Sequence, residues 1–235
     1  MPKIEFILNT NIQKPNIQFG LDSKPQSAKN FIPEEFKRLP SYLNNDLRLN
    51  TVKKCVPFLD ALTSGYIIPF YQENILTITK RKDGDEDLHI TATNSIGQQA
   101  GHHINQLPKN YQDSKRPALK FDNKWYVKTP IGYSCLFIHP MNQPKKDYEL
   151  ASGVVDTDTY DKIIQFPYFI RKRFTEQQTQ IYIEKDTPMV QVIPFRRESW
   201  TSRVGKDNKF GKSDAGFGLV IDMYKKIFWK KKKYE

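Results

Sequence analysis

Short apolar runs separated by turn-forming residues fill the chain from Trp125 to Arg197. β-Branched and aromatic residues dominate these runs, and Pro, Gly, Asn or Asp bounds them, which is the pattern of antiparallel strands. A proline inside one run, Pro167, indicates an edge strand or a bulge, because proline cannot donate to a sheet ladder. The pattern predicts strands at 125–128, 133–139, 154–155, 163–170, 180–183 and 188–195.

Fewer strands are predicted before Trp125, and helices accompany them. The segment 32–40 predicts a short helix, with Pro33 near its first turn and Pro40 ending it. The segment 51–62 predicts a second helix, in which Pro57 indicates a break or a late start. The remaining apolar runs predict strands at 3–8, 66–70, 74–79, 87–92 and 119–121, with 74–79 and 87–92 paired as a hairpin.

The closing segment 219–234 alternates apolar residues with lysines. Leu219, Met223, Ile227 and Phe228 fall on one face at helical spacing, so we predict a basic C-terminal helix. The fold class is therefore all-β, an antiparallel sandwich or barrel with short N-terminal helices. We divide the chain into an N-terminal strand, polar arm and short helix (1–50), a β-rich core domain (51–204), and a flexible segment with the basic helix (205–235).

Net charge, cysteine content and the length of the apolar stretches add to this interpretation. The formal net charge of the 235 residues is +11, which favours polyanion binding or serves only solubility. The two cysteines, Cys55 and Cys135, both lie among apolar residues, so we expect buried free thiols in a reducing compartment. We find no apolar stretch long enough for a membrane span and no signal peptide, and we expect a cytosolic protein.

Two carboxylates, Asp156 and Asp158, directly follow an apolar strand and are the best-placed candidates for chemistry. A carboxylate at a strand end can activate water or hold a divalent cation, and Asp161 can join such a pair. The alternative is that they are turn aspartates that bond their own backbone. His139 ends another apolar strand, where a hydrogen-bonded structural histidine is expected more often than a catalytic one.

Two basic runs interleaved with aromatic residues are candidates for nucleic-acid or phosphate contact. Phe174, Phe195 and Trp200 lie close to them in sequence, and stacking combined with positive charge suits single-stranded nucleic acid. The alternative is a basic rim on a β-sandwich. The candidate contact residues are Arg171, Lys172, Arg173, Arg196 and Arg197. The adjacent histidines His102 and His103 point to opposite sides of an extended chain and rarely bind one metal together.

Five segments carry a resemblance to a known group of proteins: 32–40 (IPEEFKRLP), 51–70, 128–137 (KTPIGYSCLF), 152–158 (SGVVDTD) and 228–231 (FWKK). Together they resemble an uncharacterised protein family common in tailed-bacteriophage genomes. The resemblance implies a phage-type origin, and the family supplies no established activity.

A second resemblance concerns short motifs in a fixed order: 64–66 (SGY), 130–140, 153–158 (GVVDTD), 183–193 and 216–218 (GFG). They are similar to the five motifs of deoxyuridine triphosphatases and the related deoxycytidine deaminases. The similarity implies that fold, and it implies that Asp156 orients an attacking water. The sequence departs from the family at 141–143, where Met-Asn-Gln replaces the phosphate-holding Arg-Ser-Gly, and at Ile67, where the family has Asp.

We therefore expect a phage-type β protein that acts without catalysis, by binding or assembly. The alternative is a nucleotide-binding or nucleotide-hydrolysing protein related to the deoxyuridine triphosphatases. No cofactor is expected, except that the alternative admits a divalent metal on Asp156 and Asp158. The expected partner is another protein or further copies of the chain, with nucleic acid as a further partner and no membrane. The expected location is the host cytoplasm or the virion.

Overall fold

Strands in antiparallel sheets make up most of the regular structure. The computed structural model describes residues 1–11, 21–46, 49–80, 86–89, 101–102, 104–109, 118–144, 147–171, 178–206 and 224–235. The strands are β1 Glu5–Leu8, β2 Gln26–Ser27, β3 Tyr66–Pro69, β4 Asn74–Lys80, β5 Glu86–His89, β6 Gly101–His102, β7 Ala118–Phe121, β8 Trp125–Lys128, β9 Tyr133–Ile138, β10 Tyr148–Leu150, β11 Gly153–Val155, β12 Phe166–Ile170, β13 Gln178–Ile183 and β14 Pro188–Arg196. The expectation of a mostly antiparallel β protein is confirmed.

The strands form four sheets. The largest has the order β11-β9-β14-β3-β2, and the next has the order β10-β12-β7-β6. A three-stranded sheet, β13-β4-β5, and a pair, β1-β8, complete the set. In the part of the chain that the structure describes, every sheet keeps two edge strands and none closes into a barrel, so the barrel alternative is wrong. A closed barrel needs a continuous hydrogen-bonded ladder around the ring, and each of these ladders ends at two edge strands instead.

Helices are few and short among the described residues. Helix α1 spans Glu34–Arg38 and helix α2 spans Val56–Thr63, as the N-terminal helix predictions required. Pro57 lies in the first turn of α2, where its missing N–H costs no hydrogen bond, so the late start is confirmed. Single 3₁₀ turns occupy Ala28–Phe31, Leu43–Asn45, Val52–Lys54 and Ile104–Gln106.

One hydrophobic core joins all four sheets. Aromatic rings meet across it: Phe121 stacks on Tyr168 with centroids 3.7 Å apart, and Phe70 meets the edge of Phe121 at 4.8 Å. Ile4, Phe6 and Leu8, at and next to β1, pack against the same cluster. β1 and β2 thus pair with β8 and β3 of the 51–204 segment. The proposed domain boundaries stay a prediction.

Of the two alternatives predicted for Pro167, an edge strand or a bulge, the edge strand is wrong. β12 lies between β10 and β7. Ala151, just beyond β10, donates its N–H to the carbonyl oxygen of Pro167 at 2.8 Å. The return bond from position 167 is the one that proline cannot make. The proline therefore sits where the β10–β12 ladder ends, and an interior strand tolerates it.

The predicted C-terminal helix is mostly wrong over its described part. A single helical turn, Tyr224–Phe228, is followed by 229–235 without regular structure, while 219–223 lies outside the described residues. On a helix, Lys230 and Lys233 would lie one turn apart, and their like charges would repel one another. Contacts of Trp229, Lys232 and Tyr234 with the protein body stabilise the open conformation instead.

The two cysteines differ in environment, although both were expected to be buried. Cys135 on β9 is fully buried, whereas Cys55 is exposed. Cys55 precedes α2, whose only fully buried residue is Leu62 near its other end, so the start of this helix stays at the surface. No helix in the described residues is long and apolar enough to cross a membrane. The flexible segment predicted from 205 lies mostly outside them.

Candidate functional site

The strand ends around Asp156 bring together three segments that are distant in sequence. Asp156 follows β11, and its carbonyl accepts hydrogen bonds from the N–H groups of Thr159 and Tyr160 at 3.1 and 2.9 Å. These bonds close a tight turn after the strand. β9 pairs with both β11 and β14, so the start of β9 and the end of β14 lie beside this turn.

Asp158 forms a two-pronged ion pair with Arg197. The guanidinium donates from Nη1 to Oδ1 at 2.9 Å and from Nη2 to Oδ2. The backbone N–H of Gly132 donates to the same Oδ2 at 2.9 Å. The Asp158 side chain is only 1% exposed. These donors stabilise the carboxylate, so the pKa of Asp158 is lowered well below its usual range, and the pKa of Arg197 is raised.

Asp156 lies beside Nη1 of the same guanidinium. The Ser134 hydroxyl donates to its Oδ1 at 2.6 Å, and Arg197 Nη1 lies 3.3 Å from that oxygen. Its side chain is 62% exposed, in contrast to Asp158. Arg197 also donates from Nη1 to the Tyr133 carbonyl at 3.0 Å. We call the set Gly132, Ser134, Asp156, Asp158 and Arg197 the arginine clamp.

Thr157 lies under the arginine clamp with its side chain fully buried. Its hydroxyl is 2.7 Å from that of Thr129 and donates to the sulfur of Cys135 at 3.3 Å. Burial raises the pKa of the Cys135 thiol to about 11, although the bond from Thr157 lowers it. The thiol therefore stays protonated near neutral pH and is not a nucleophile there.

The predicted carboxylates are brought together, and both bond groups from other segments. Asp156 and Asp158 are therefore not turn aspartates that bond only their own backbone. Asp161 instead pairs with Lys162 at 3.4 Å, with 70% of its side chain exposed. Among the described residues, no group of three or more His, Cys, Asp or Glu side chains has metal-binding geometry. The water-orienting role of Asp156 and the metal role of Asp156 and Asp158 stay predictions.

The predicted nucleic-acid contacts are divided between sheets. Arg171 follows β12 and pairs with Glu149 on the neighbouring β10. Arg196 ends β14 in the largest sheet and is 70% exposed, with Glu198 at 3.8 Å. Arg197 belongs to the arginine clamp. Lys172 and Arg173 lie outside the described residues. Contact of these five residues with nucleic acid stays a prediction.

His139 is a structural histidine in its observed contacts. Its Nε2 is 3.2 Å from the carbonyl of Gln143, and its Nδ1 accepts from the N–H of Leu150 at 3.4 Å. Both ring nitrogens are thus engaged when the proton is on Nε2. His102 is exposed and ends β6, while His103 lies outside the described residues.

Cavities lie elsewhere among the described residues, and three of them bear on the argument. One of about 430 Å³ lies between α2 and the C-terminal segment, and one of about 210 Å³ adjoins the N-terminus. A third of about 370 Å³ is lined by residues that include His102, Lys120 and Tyr160. Neither Asp156 nor Asp158 lines any of the three.

Sequence reasoning missed the clamp as a unit. Arg197 was assigned to a basic run, and Ser134 and Gly132 were not singled out. The clamp could have been predicted from the register of two strands. When β9 pairs with β14, Arg196 lies opposite Tyr133, and Arg197 therefore reaches the turn at Gly132. That register follows from sheet order, which the sequence does not show directly.

Comparison with known proteins adds no relative. No family model matches the chain, and no curated protein and no solved structure matches it significantly. The two family resemblances therefore stay predictions.

Proposed function

We propose that the protein acts without catalysis, by binding and assembly, through an arm formed by residues 198–206. This arm follows β14, has no regular secondary structure, and is exposed at every position. Trp200 is 85% exposed and Val204 fully exposed. An exposed tryptophan with an arginine, Arg203, three residues further along the arm has the composition of an interface anchor, and Trp200 is the observation that carries the proposal.

The arginine clamp supports this proposal because it fixes the base of the arm. The backbone N–H of Arg197 donates to the Gly132 carbonyl at 2.9 Å, and its side chain holds Asp158. The chain therefore leaves the body at a defined point and in a defined direction. A fixed base lowers the conformational entropy lost when the arm binds.

Burial of the arm's apolar side chains supplies part of the free energy of an assembly contact. Full burial of a tryptophan removes about 200 Å² from water and contributes on the order of 4–5 kcal/mol at about 25 cal/mol per Å², before the cost of ordering the arm. A second exposed apolar side chain, Ile131, lies in the turn next to Gly132 at the arm's base and is 92% exposed. We propose that a second copy of the chain receives the arm.

Sedimentation velocity of the full chain over a wide concentration range tests this. We expect concentration-dependent association of the natural chain and loss of that association in Trp200→Ala. Tyr182→Ala is the matched control, because it removes another exposed aromatic side chain, on β13. A natural chain that stays monomeric, or equal association of all three chains, would overturn the assignment of the arm.

We also propose where the protein comes from and where it acts. A tailed-bacteriophage protein that assembles through an arm works in the host cytoplasm or in the virion, and the five segments that resemble the phage family support this. We also propose that the five-stranded and four-stranded sheets pack against each other as a sandwich. Support comes from a ring contact between them: Phe137 on β9 and Phe166 on β12 have centroids 5.6 Å apart. A double-mutant cycle on this pair is expected to show coupling of about 1 kcal/mol.

A further inference from the structure

The cavity between α2 and the C-terminal segment is lined by positive charge. Its lining includes Lys29, Lys231, Lys232 and Lys233, together with the rings of Trp229 and Tyr234. Asp60 and Glu235 are the acidic side chains in its wall. We call it the lysine cavity. Its volume, about 430 Å³, is in the range of small-ligand sites.

The C-terminal segment is attached to the body at three points, spaced three residues apart. The indole N–H of Trp229 lies 2.9 and 3.1 Å from the two carboxylate oxygens of Asp60, and Lys232 pairs with the same carboxylate. The Tyr66 hydroxyl donates to the carbonyl of Glu235 at 3.1 Å. Lys231 and Lys233 lie between these attachments, so their backbone is held in place while their side chains line the cavity.

The charge balance of the lysine cavity is positive. Lys232 neutralises Asp60, which leaves Lys29, Lys231 and Lys233 against Glu235. These three lysines form no ion pair within the described part of the chain. Unpaired ammonium groups attract phosphate, and because their backbone is held in place, only side-chain freedom is lost on binding.

A second cavity adjoins the first. Its volume is about 210 Å³, and it shares Lys233 and Tyr234 with the lysine cavity. The rings of Tyr66 and Tyr133 also line it, with Ile4 and Pro194. We call it the tyrosine cavity. Tyr66 and Tyr234 meet edge to face at 6.2 Å, and these tyrosines are half-buried, which leaves ring surface available to a ligand.

We propose that these two adjoining cavities bind single-stranded nucleic acid, with phosphates against Lys29, Lys231 and Lys233 and a base against the tyrosine rings. Lysines beside accessible aromatic rings are the combination that binds unpaired nucleotides by charge and stacking. A duplex keeps its bases stacked inside and offers no ring to the tyrosine cavity. An acidic peptide uses the lysines alone, so the aromatic cavity favours nucleic acid.

Fluorescence polarisation with a labelled oligothymidylate tests the site in the full chain. The variant Lys231→Glu with Lys233→Glu is compared with Lys225→Glu and Lys226→Glu. The control pair lies on the exposed turn outside both cavities and changes the net charge equally. We expect at least about a tenfold loss of affinity in the first variant and less than about a twofold loss in the control.

Salt dependence and base stacking give two further readouts. Between about 50 and about 200 mM salt, the slope of log affinity against log salt is expected to fall by about 1.4 in the cavity variant, since two phosphate contacts are lost. Tyr133→Leu is expected to weaken binding without changing that slope, and Trp200→Ala to leave binding unchanged. Equal losses in both lysine variants, an undiminished slope, or no binding by the natural chain would overturn the proposal.

Discussion

Asp158 and Arg197, 39 residues apart in sequence, meet in a two-pronged ion pair at the point where the chain leaves the β core. The pair joins the turn after β11 to the end of β14, and it lies almost entirely out of solvent on the Asp158 side. Its charge state therefore links the attachment of the arm to pH.

Acid is expected to weaken the protein through Asp158. Because the folded-state pKa is lowered, this carboxylate contributes stability above its unfolded pKa of about 4, and that contribution is lost as pH falls through the folded value. Asp158→Asn should lower the melting temperature at pH 7 and flatten its decline below about pH 4. Melting curves by circular dichroism from neutral to acid pH measure both effects.

Asp161→Asn is the control for this experiment, since the Asp161 side chain is 70% exposed and its ion pair among the described residues is with its neighbour Lys162. Its profile should follow that of the natural chain. Parallel acid declines in the Asp158 variant and the natural chain would contradict the assigned role of the ion pair.

Gln191 should be among the most sensitive polar positions of the core. Its fully buried amide accepts from the Met141 N–H at 2.7 Å and donates to the carbonyls of Ala61 and Ser64 at 2.9 and 2.7 Å. Gln191→Leu leaves these three groups unpaired, so we expect a loss of about 3 kcal/mol in the free energy of unfolding, measured with urea. The exposed Gln165→Leu should change it by less than about 0.5 kcal/mol.

Three glycines form a graded series for backbone strain. Gly65 has φ +69°, and an added Cβ meets the carbonyl oxygen of Val192 at 2.1 Å. Gly132 has φ +87° with open space around it, and Gly153 has neither constraint. We expect Gly65→Ala to cost more than about 3 kcal/mol, Gly132→Ala about 1 kcal/mol and Gly153→Ala close to zero. An unfolding series with another order would refute this account.

The two cysteines should differ sharply in reactivity. Cys55 is exposed, whereas Cys135 is buried and its pKa is raised to about 11. A thiol reagent at mild alkaline pH should modify one thiol per folded chain and the second only after denaturation. Cys55→Ser should abolish the fast reaction. Rapid modification of that variant would show that Cys135 is accessible.

The strands could be predicted well from local pattern, and contacts between distant segments could not. Apolar alternation located β8, β9 and β14, because those strands bury alternate or continuous faces. It missed β2, β6 and β10, which have two or three residues each and gain their order from neighbouring strands. Strands this short carry little apolar periodicity, and of the three-residue strands only β11 was predicted, from its pair of valines.

The candidate site shows the same division. The turn at Asp156 and Asp158 was recognisable, since acidic residues directly follow an apolar run. The guanidinium that joins them comes from the far end of β14, and only the order of strands in the sheet brings it there. The C-terminal helix failed for a related reason: Asp60 on α2 binds Trp229 and Lys232, and no local preference encodes that contact.

The position of β14 has a mechanical consequence. The arm continues directly from this strand, which is bonded on one side to β3 and on the other to β9. Tension applied to the arm along the strand is therefore shared by two ladders in shear, after the pair at Arg197 has yielded. A chain tethered by this arm would transmit force into the centre of its largest sheet and resist extraction there better than at an edge strand.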